Sequence, residues 1–280
     1  MIIRRKPEWL RKKTNLSNQT DMRQLLGELQ LNTVCQQAMC PNISECFSCG
    51  QATFLILGLH CTRQCSFCNV EKKVPEEVDT AEAPRIAEAV VQLKLSHVVI
   101  TSPTRDDLDD GGASQYAATV SAIRKQTAQC RIELLIPDFL GDISSIQAVI
   151  ASKPDILAHN VETVPRLYQV RSGAVYQRSL DVLRECHELA PHISTKSGIM
   201  LGLGEEDVEV EQVINDLRDV NCSFLSIGQY LSPSKKHYPV QEYIAPEKFD
   251  RLRDLALSAG FSHVESGPYI RSSYHAGQYI

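Results

Sequence analysis

From residue 53 onward the chain repeats one pattern: a short apolar run followed by a longer amphipathic segment, about six times in series. The runs TFLILGL (53–59), HVVIT (97–101), RIELLI (131–136) and FLSIG (224–228) have the length and apolar content of strands. Residues 156–159 and part of 192–201 read the same way, and residues 263–265 as a possible last strand. Helices are expected over residues 81–95, 116–125, 143–151, 175–189, 207–220 and 247–259. In the first of these Ile86, Ala89, Val90 and Leu93 share a face, and Pro84 suits a first turn. Asp142 is placed to cap the third. Strands alternating with helices require a parallel sheet with helical crossovers, either an open doubly wound sheet or an incomplete barrel. In both, reactive groups gather at the C-terminal ends of the strands. Residues 1–50 look irregular and polar.

Bulk properties remove several function classes. A net charge of -5 and a pI near 5.9 argue against nucleic acid as the main partner. No apolar run approaches the roughly 18–20 residues of a membrane span. The basic start, MIIRRKPEWLRKKTN, lacks the apolar centre of a secretory signal, so a cytoplasmic protein is expected.

Six cysteines fall into two triplets. Cys35, Cys40 and Cys46 form C-x4-C-x5-C, and Cys61, Cys65 and Cys68 form C-x3-C-x2-C directly after the first strand. Such clustering in an intracellular chain points to metal or catalysis rather than disulfides. Three thiolates are one short of a closed zinc site or a fully ligated cubane. On so short a loop, the second triplet can hold three irons of a [4Fe–4S] cluster and leave the fourth open to a small molecule. Zinc with His60 or a distant residue as fourth ligand is the competing reading. Cys130, Cys186 and Cys222 are scattered and read as buried structural cysteines. Cys49, three residues after Cys46, is not counted as a ligand, and its role stays open.

C-x3-C-x2-C after the first strand of a β/α chain resembles the radical S-adenosylmethionine (SAM) superfamily. The upstream triplet narrows the resemblance, as do CPNISEC (40–46), ATFLILG (52–58), RDDLDDGGA (105–113), HNVETVPRLY (159–168), TKSGIMLGLGEE (195–206), IGQYLSPS (227–234) and SGPYIRSSY (266–274). Together they are similar to the lipoyl synthase family from about Lys6 to the C-terminus. Biotin synthase-like enzymes, methylthiotransferases and a zinc-binding scaffold are the alternatives, and the upstream triplet with RSSY speaks against them. Phe47, Gln51 and Pro103 depart from the tryptophan, threonine and valine-like residues expected of many members, and none removes a ligand.

The resemblance implies an α/β fold: a partial (β/α)6 TIM-like barrel over 51–265, an N-terminal extension over 1–50 and a C-terminal segment over 266–280. It implies that Cys61, Cys65 and Cys68 hold the cluster that binds and cleaves SAM. Cys35, Cys40 and Cys46 would hold an auxiliary [4Fe–4S] cluster, closed by Ser272 or Ser273, with Ser273 favoured. That cluster would donate the sulfurs inserted at C6 and C8 of an octanoyl group on a lysine of a lipoyl-carrier protein. The carrier would be the glycine cleavage H protein or the lipoyl domain of a 2-oxoacid dehydrogenase E2. A flavodoxin- or ferredoxin-type electron donor and an iron–sulfur carrier are further implied partners. Asn160 and Glu162 could bond ribose hydroxyls, and Arg178 could pair with the methionine carboxylate. Thr101 and Ser102 are weaker candidates for the SAM amine. Lys196 could reach the site or cap a strand on the surface. Asp106, Asp107, Asp109 and Asp110 have the wrong spacing for a calcium loop. Arg4, Arg5, Lys6, Arg11, Lys12 and Lys13 could meet an acidic carrier or form a solvated tail.

Overall fold

A computed structural model describes residues 6–11, 20–49, 51–274 and 276–278. Its centre is a seven-stranded sheet with every neighbouring pair parallel and the strands in chain order. The strands are β1 Thr53–Leu55, β2 His97–Thr101, β3 Arg131–Leu135, β4 Ile156–Ala158, β5 Ser194–Leu201, β6 Phe224–Gln229 and β7 His263–Gly267. Helices follow the first six: α4 Glu82–Gln92, α5 Ala113–Gln126, α6 Ile143–Ala151, α7 Tyr176–Leu189, α8 Asp207–Asp219 and α9 Pro246–Ser258. This is the expected series of six strand–helix units, with a seventh strand added. Asp142 caps α6 by accepting from the Ser145 amide.

The region before β1 is not irregular. Among its described residues are three short α-helices, α1 Thr20–Glu28, α2 Val34–Gln37 and α3 Ile43–Ser48. Met22, Leu26, Leu31 and Phe47 bury against the core that covers β1 and β2, so tertiary packing stabilises helices whose own propensity is weak. Of the basic residues near the start, Arg4, Arg5, Lys12 and Lys13 lie outside the described residues.

The apolar run at 53–59 leaves the sheet early because Leu57 adopts a left-handed backbone, φ 67°, followed by Gly58 at 87°. A β-carbon costs roughly 1–2 kcal/mol there. The turn is fixed by Glu82, which accepts from the Leu57 amide at 3.0 Å, and by Arg105, which donates to the Leu57 carbonyl at 2.9 Å. The loop carrying the second cysteine triplet therefore starts from a pinned corner.

The two faces of the sheet differ. Phe54, Ile100, Leu134 and Leu157 face α4–α6 in one apolar core; Ile199, Leu225 and Ile227 pack with α8 and α9 in a second. Each such side chain contributes on the order of 1.5–3 kcal/mol. The opposite face aligns Thr53, Val99, Glu133 and Ile156 in one row, with Ala158, Lys196, Phe224 and His263 in the next. Ile156 and Phe224 come from non-adjacent strands yet cluster together, so the sheet curls toward a barrel on this side. Lys196 lies inside it, 1% exposed, with its ammonium 3.0 Å from the fully buried Glu133; of the two positions considered for it, the surface cap is excluded. Such buried pairs add little net stability, so the helix-side cores hold the fold and the polar inner face is free for function.

After β7 the chain turns back across this inner face. The Ile270 carbonyl lies against Gly228, where a β-carbon would sit 2.2 Å away. Ser272 lies against Gly198, where a β-carbon would be 2.9 Å from Asn160 Oδ1 and 3.2 Å from Ser272 Oγ. Only glycine lets the segment approach so closely.

Candidate active site

Cys61, Cys65 and Cys68 lie on the loop that leaves the C-terminal end of β1. Cys61 is fixed by its amide to the Glu71 carbonyl at 2.8 Å, and Ser66 ties the loop to the Val170 carbonyl at 2.8 Å. Arg63, between the first two cysteines, fastens it to two further strand ends. Its guanidinium bonds Asp106 at 2.7 and 2.9 Å and Asp138 at 2.6 and 3.0 Å. Burial pushes the Asp138 carboxyl up, but hydrogen bonds and charge from Arg63, with His159 and Arg178 nearby, hold it at about 2. Burial also pushes the free Cys68 thiol up to about 12 and raises Cys65, against the pull of the Arg171 charge. A metal centre bound there would displace their protons.

His60 stands between Glu71 at 3.2 Å and Glu76 at 3.0 Å. Among the described residues no three His, Cys, Asp or Glu side chains are gathered to hold a single metal ion. All ten cysteines are free.

Asn160 and Glu162 follow β4. Glu162 has φ 66° and bridges to β5, donating its amide to the Gly198 carbonyl at 2.9 Å. Asn160 Nδ2 donates to Glu162 Oε1 at 3.1 Å and to Ser272 Oγ at 2.6 Å. Asn160 Oδ1 is buried with no partner among the described residues, an acceptor open to a ligand hydroxyl. Burial raises the Glu162 carboxyl, with Arg171 and Asn160 opposing.

Arg178 is not free for a ligand carboxylate. It spends Nε on Asp138 at 2.9 Å and Nη2 on the Gly173 carbonyl at 2.6 Å. Arg171 is the better placed cation: it acts on Cys65 and Glu162, and its hydrogen bonds go to Tyr168, Ser179 and His159, none of them anionic. His159 stays neutral, its pKa pushed to about 3 by burial and then by Arg171. Thr101 and Ser102 are already engaged, Thr101 donating to the Leu135 carbonyl and Ser102 accepting from Tyr116. Of the aspartates, Asp106 serves Arg63, Asp107 serves Arg105, and Asp110 accepts from the Gly112 and Ser114 amides; they form no cation loop.

The first triplet forms a second site. Cys35 on α2, Cys40 on the following turn and Cys46 on α3 line one cavity of about 180 Å³. Ser273 lines the same cavity and accepts from Thr53 Oγ1 at 2.7 Å. Tyr274 donates to Glu45 at 2.7 Å, and Asn42 donates to the Tyr269 carbonyl at 2.7 Å, so both ends of the chain are tied together there. Three thiols and one hydroxyl are four donors, the number a four-iron cluster takes. The first loop offers three thiols, a set that would leave one iron of such a cluster for a ligand.

The two serines of RSSY part company. Ser272 joins Asn160 beside the first loop, while Ser273 joins Thr53 in the second cavity. One dipeptide thus reaches Asn160 with one serine and the cavity of the first triplet with the other.

The radical SAM superfamily model matches residues 55–217. The lipoyl synthase of Trichlorobacter lovleyi is 66% identical over 280 residues, covering 100% of both chains. That of Geotalea uraniireducens is 65% identical over 279 residues, covering 100% of this chain and 99% of its own. The chain belongs to the lipoyl synthase family. Among solved structures, Streptococcus suis SuiB bound to its precursor peptide SuiA superposes with a TM-score of 0.60 at 12% identity, covering 76% of this chain and 48% of SuiB, a likeness of fold alone. That fold agrees with the partial barrel expected from the sequence.

Arg63, Asp138 and Arg171 were missed from the sequence. Signals existed for the first two: Arg63 sits inside the C-x3-C spacing, and Asp138 follows the end of β3.

Proposed function

We propose that the chain inserts sulfur at C6 and C8 of an octanoyl group carried on a lysine of a lipoyl-carrier protein. As a family member it is a radical SAM sulfurtransferase that uses SAM and [4Fe–4S] clusters, and its activity is lipoyl synthesis. When bound, these groups supply the radical chemistry that breaks the C–H bonds and the sulfide that replaces hydrogen.

The protein's own residues orient and enclose. Cys61, Cys65 and Cys68 hold the SAM-binding cluster on a loop pinned by Arg63. Asn160, through its open Oδ1, and Glu162 receive ribose hydroxyls, and Arg171 replaces Arg178 as the partner of the methionine carboxylate, where a planar guanidinium suits it. Cys35, Cys40, Cys46 and Ser273 hold the auxiliary cluster. Serine oxygen is a harder ligand than thiolate and a poorer match for cluster iron, so that iron is the easier to release. The observation that carries the reading is the divergence of the two serines, Ser272 to Asn160 and Ser273 to Thr53 in the cavity of the first triplet, which supports a sulfur donor near the SAM side of the barrel.

The octanoylated carrier is the glycine cleavage H protein or an E2 lipoyl domain, and the electron donor is of flavodoxin or ferredoxin type. An iron–sulfur carrier rebuilds the auxiliary cluster, and the setting is the cytoplasm. Among the described residues no helix is long and apolar enough to cross a membrane.

Anaerobic reconstitution followed by assay with SAM, dithionite and an octanoyl-lysine peptide tests the reading. About eight irons per chain, 5′-deoxyadenosine and a peptide gaining two sulfurs are expected. About four irons with SAM cleavage but an unthiolated peptide would discard lipoyl synthesis.

A further inference from the structure

The auxiliary cavity holds one sulfur more than its proposed cluster uses. Cys49 lines it together with Cys35, Cys40 and Cys46. It is the C-terminal cap of α3, its amide bonded to the Cys46 carbonyl at 3.1 Å. Three residues apart, Cys46 and Cys49 project from the same side of the helix. Cys49 is exposed at the rim, while Ser273 enters from the C-terminal segment and is held by Thr53. His97 lines the cavity too; its side chain is nine-tenths buried, and Nδ1 has no hydrogen-bond partner among the described residues. The cavity is therefore built for an occupant, with four thiols, the Ser273 hydroxyl and the His97 imidazole around it.

We propose that Cys49 is an exchangeable fourth ligand of the auxiliary cluster, holding the fourth iron when Ser273 is withdrawn. The proposal rests on the assignment of Cys35, Cys40 and Cys46 to that cluster. Thiolate suits cluster iron better than alkoxide, and Cys35 through Cys49 lie on adjoining short helices. The N-terminal segment alone can then assemble an all-thiolate cluster before the C-terminal segment docks. On docking, the Cys49 thiolate leaves iron and takes up a proton, while the Ser273 hydroxyl loses one and binds as alkoxide. No electron moves and no net proton is released. Thr53, donating to Ser273 Oγ, favours the alkoxide once the segment is in place. The exchange converts a stably held cluster into one whose unique iron is readily lost.

The test is anaerobic alkylation of the reconstituted full chain with iodoacetamide, read by mass spectrometry beside iron counts. In the unaltered protein Cys35, Cys40 and Cys46 are expected to be protected and Cys49 modified. In Ser273→Ala, Cys49 should also become protected, its alkylation slowed by roughly tenfold or more, because the metal-held thiolate is no longer a free nucleophile. Iron should stay at about eight in Ser273→Ala and in Cys49→Ala, and fall to about seven in the double variant, with the paramagnetic signal of a three-iron cluster. Equal alkylation of Cys49 in Ser273→Ala and the unaltered protein, or loss of the whole auxiliary cluster from Ser273→Ala, would overturn the proposal. Alkylation of Cys35, Cys40 and Cys46 in the unaltered protein would instead overturn the cluster assignment beneath it.

Discussion

The two cysteine sites are built on opposite plans. The first takes all three thiols from one loop, and its stiffness is imported: Arg63 clamps the loop to Asp106 and Asp138 at the ends of two other strands. The second gathers its donors from the two ends of the chain, with Cys35, Cys40 and Cys46 on short helices before β1 and Ser273 on a segment after β7. A loop pinned into the barrel suits a centre that must keep its geometry through repeated turnover. A cavity closed by a returning segment suits a centre that must be emptied and rebuilt.

The largest expected effect isolates the first site. Cys68→Ala should abolish 5′-deoxyadenosine formation while leaving the auxiliary iron in place. If the variant still cleaves SAM, the roles given to the two triplets are reversed or wrong.

Ser273→Ala should do the converse. SAM cleavage should stay within about twofold of the unaltered rate, an effect below ~0.5 kcal/mol, while the thiolated product is lost. Full product formation would remove serine from the mechanism, and a matching loss in Ser272→Ala would place the ligand there instead.

Asp138→Asn probes the imported stiffness. It strips the buried guanidinium of Arg63 of one carboxylate and should lower stability by about 3 kcal/mol, measured by urea unfolding. The Asp138 carboxyl is depressed to about 2 in the folded protein. Its contribution is therefore present above its ordinary value, about 3.9, and is lost as pH falls through about 2. A variant whose acid unfolding curve overlays that of the unaltered protein would show that the clamp does not hold the loop.

Asn160→Ala should have the smallest effect. Losing one ribose contact and the bond to Ser272 should weaken SAM binding by about 1 kcal/mol, roughly fivefold, with the iron count unchanged. An unchanged affinity by isothermal titration would move the ribose elsewhere.

What the sequence disclosed follows the same division. The cysteine triplets are legible because their short spacings keep them close, and so were the strand–helix units, whose periodicities survive in the chain as written. Ser273 was favoured over Ser272 on resemblance alone, because only the path of residues 268–274 across Gly228 and Gly198 sends one serine to Asn160 and the other to Thr53. Arg171 and Arg178 sit on segments that both reach the strand ends; which is free depends on Asp138, a residue distant in sequence from both. Lys196 was left open between the site and the surface although β5 alternation sets it on the inner face with Gly198 and Met200; its partner Glu133, inside RIELLI, was the overlooked signal. The helices before β1 were missed because α2 and α3 are too short to show a period, and packing rather than propensity forms them.

The most direct test of the central claim is one turnover of protein whose clusters were rebuilt with sulfur-34 sulfide, given SAM, dithionite and octanoyl-lysine peptide. The account expects a peptide carrying two sulfur-34 atoms and iron falling from about eight to about four per chain, the loss confined to the Cys35, Cys40 and Cys46 site. A thiolated peptide carrying unlabelled sulfur, with all the iron retained, would contradict it.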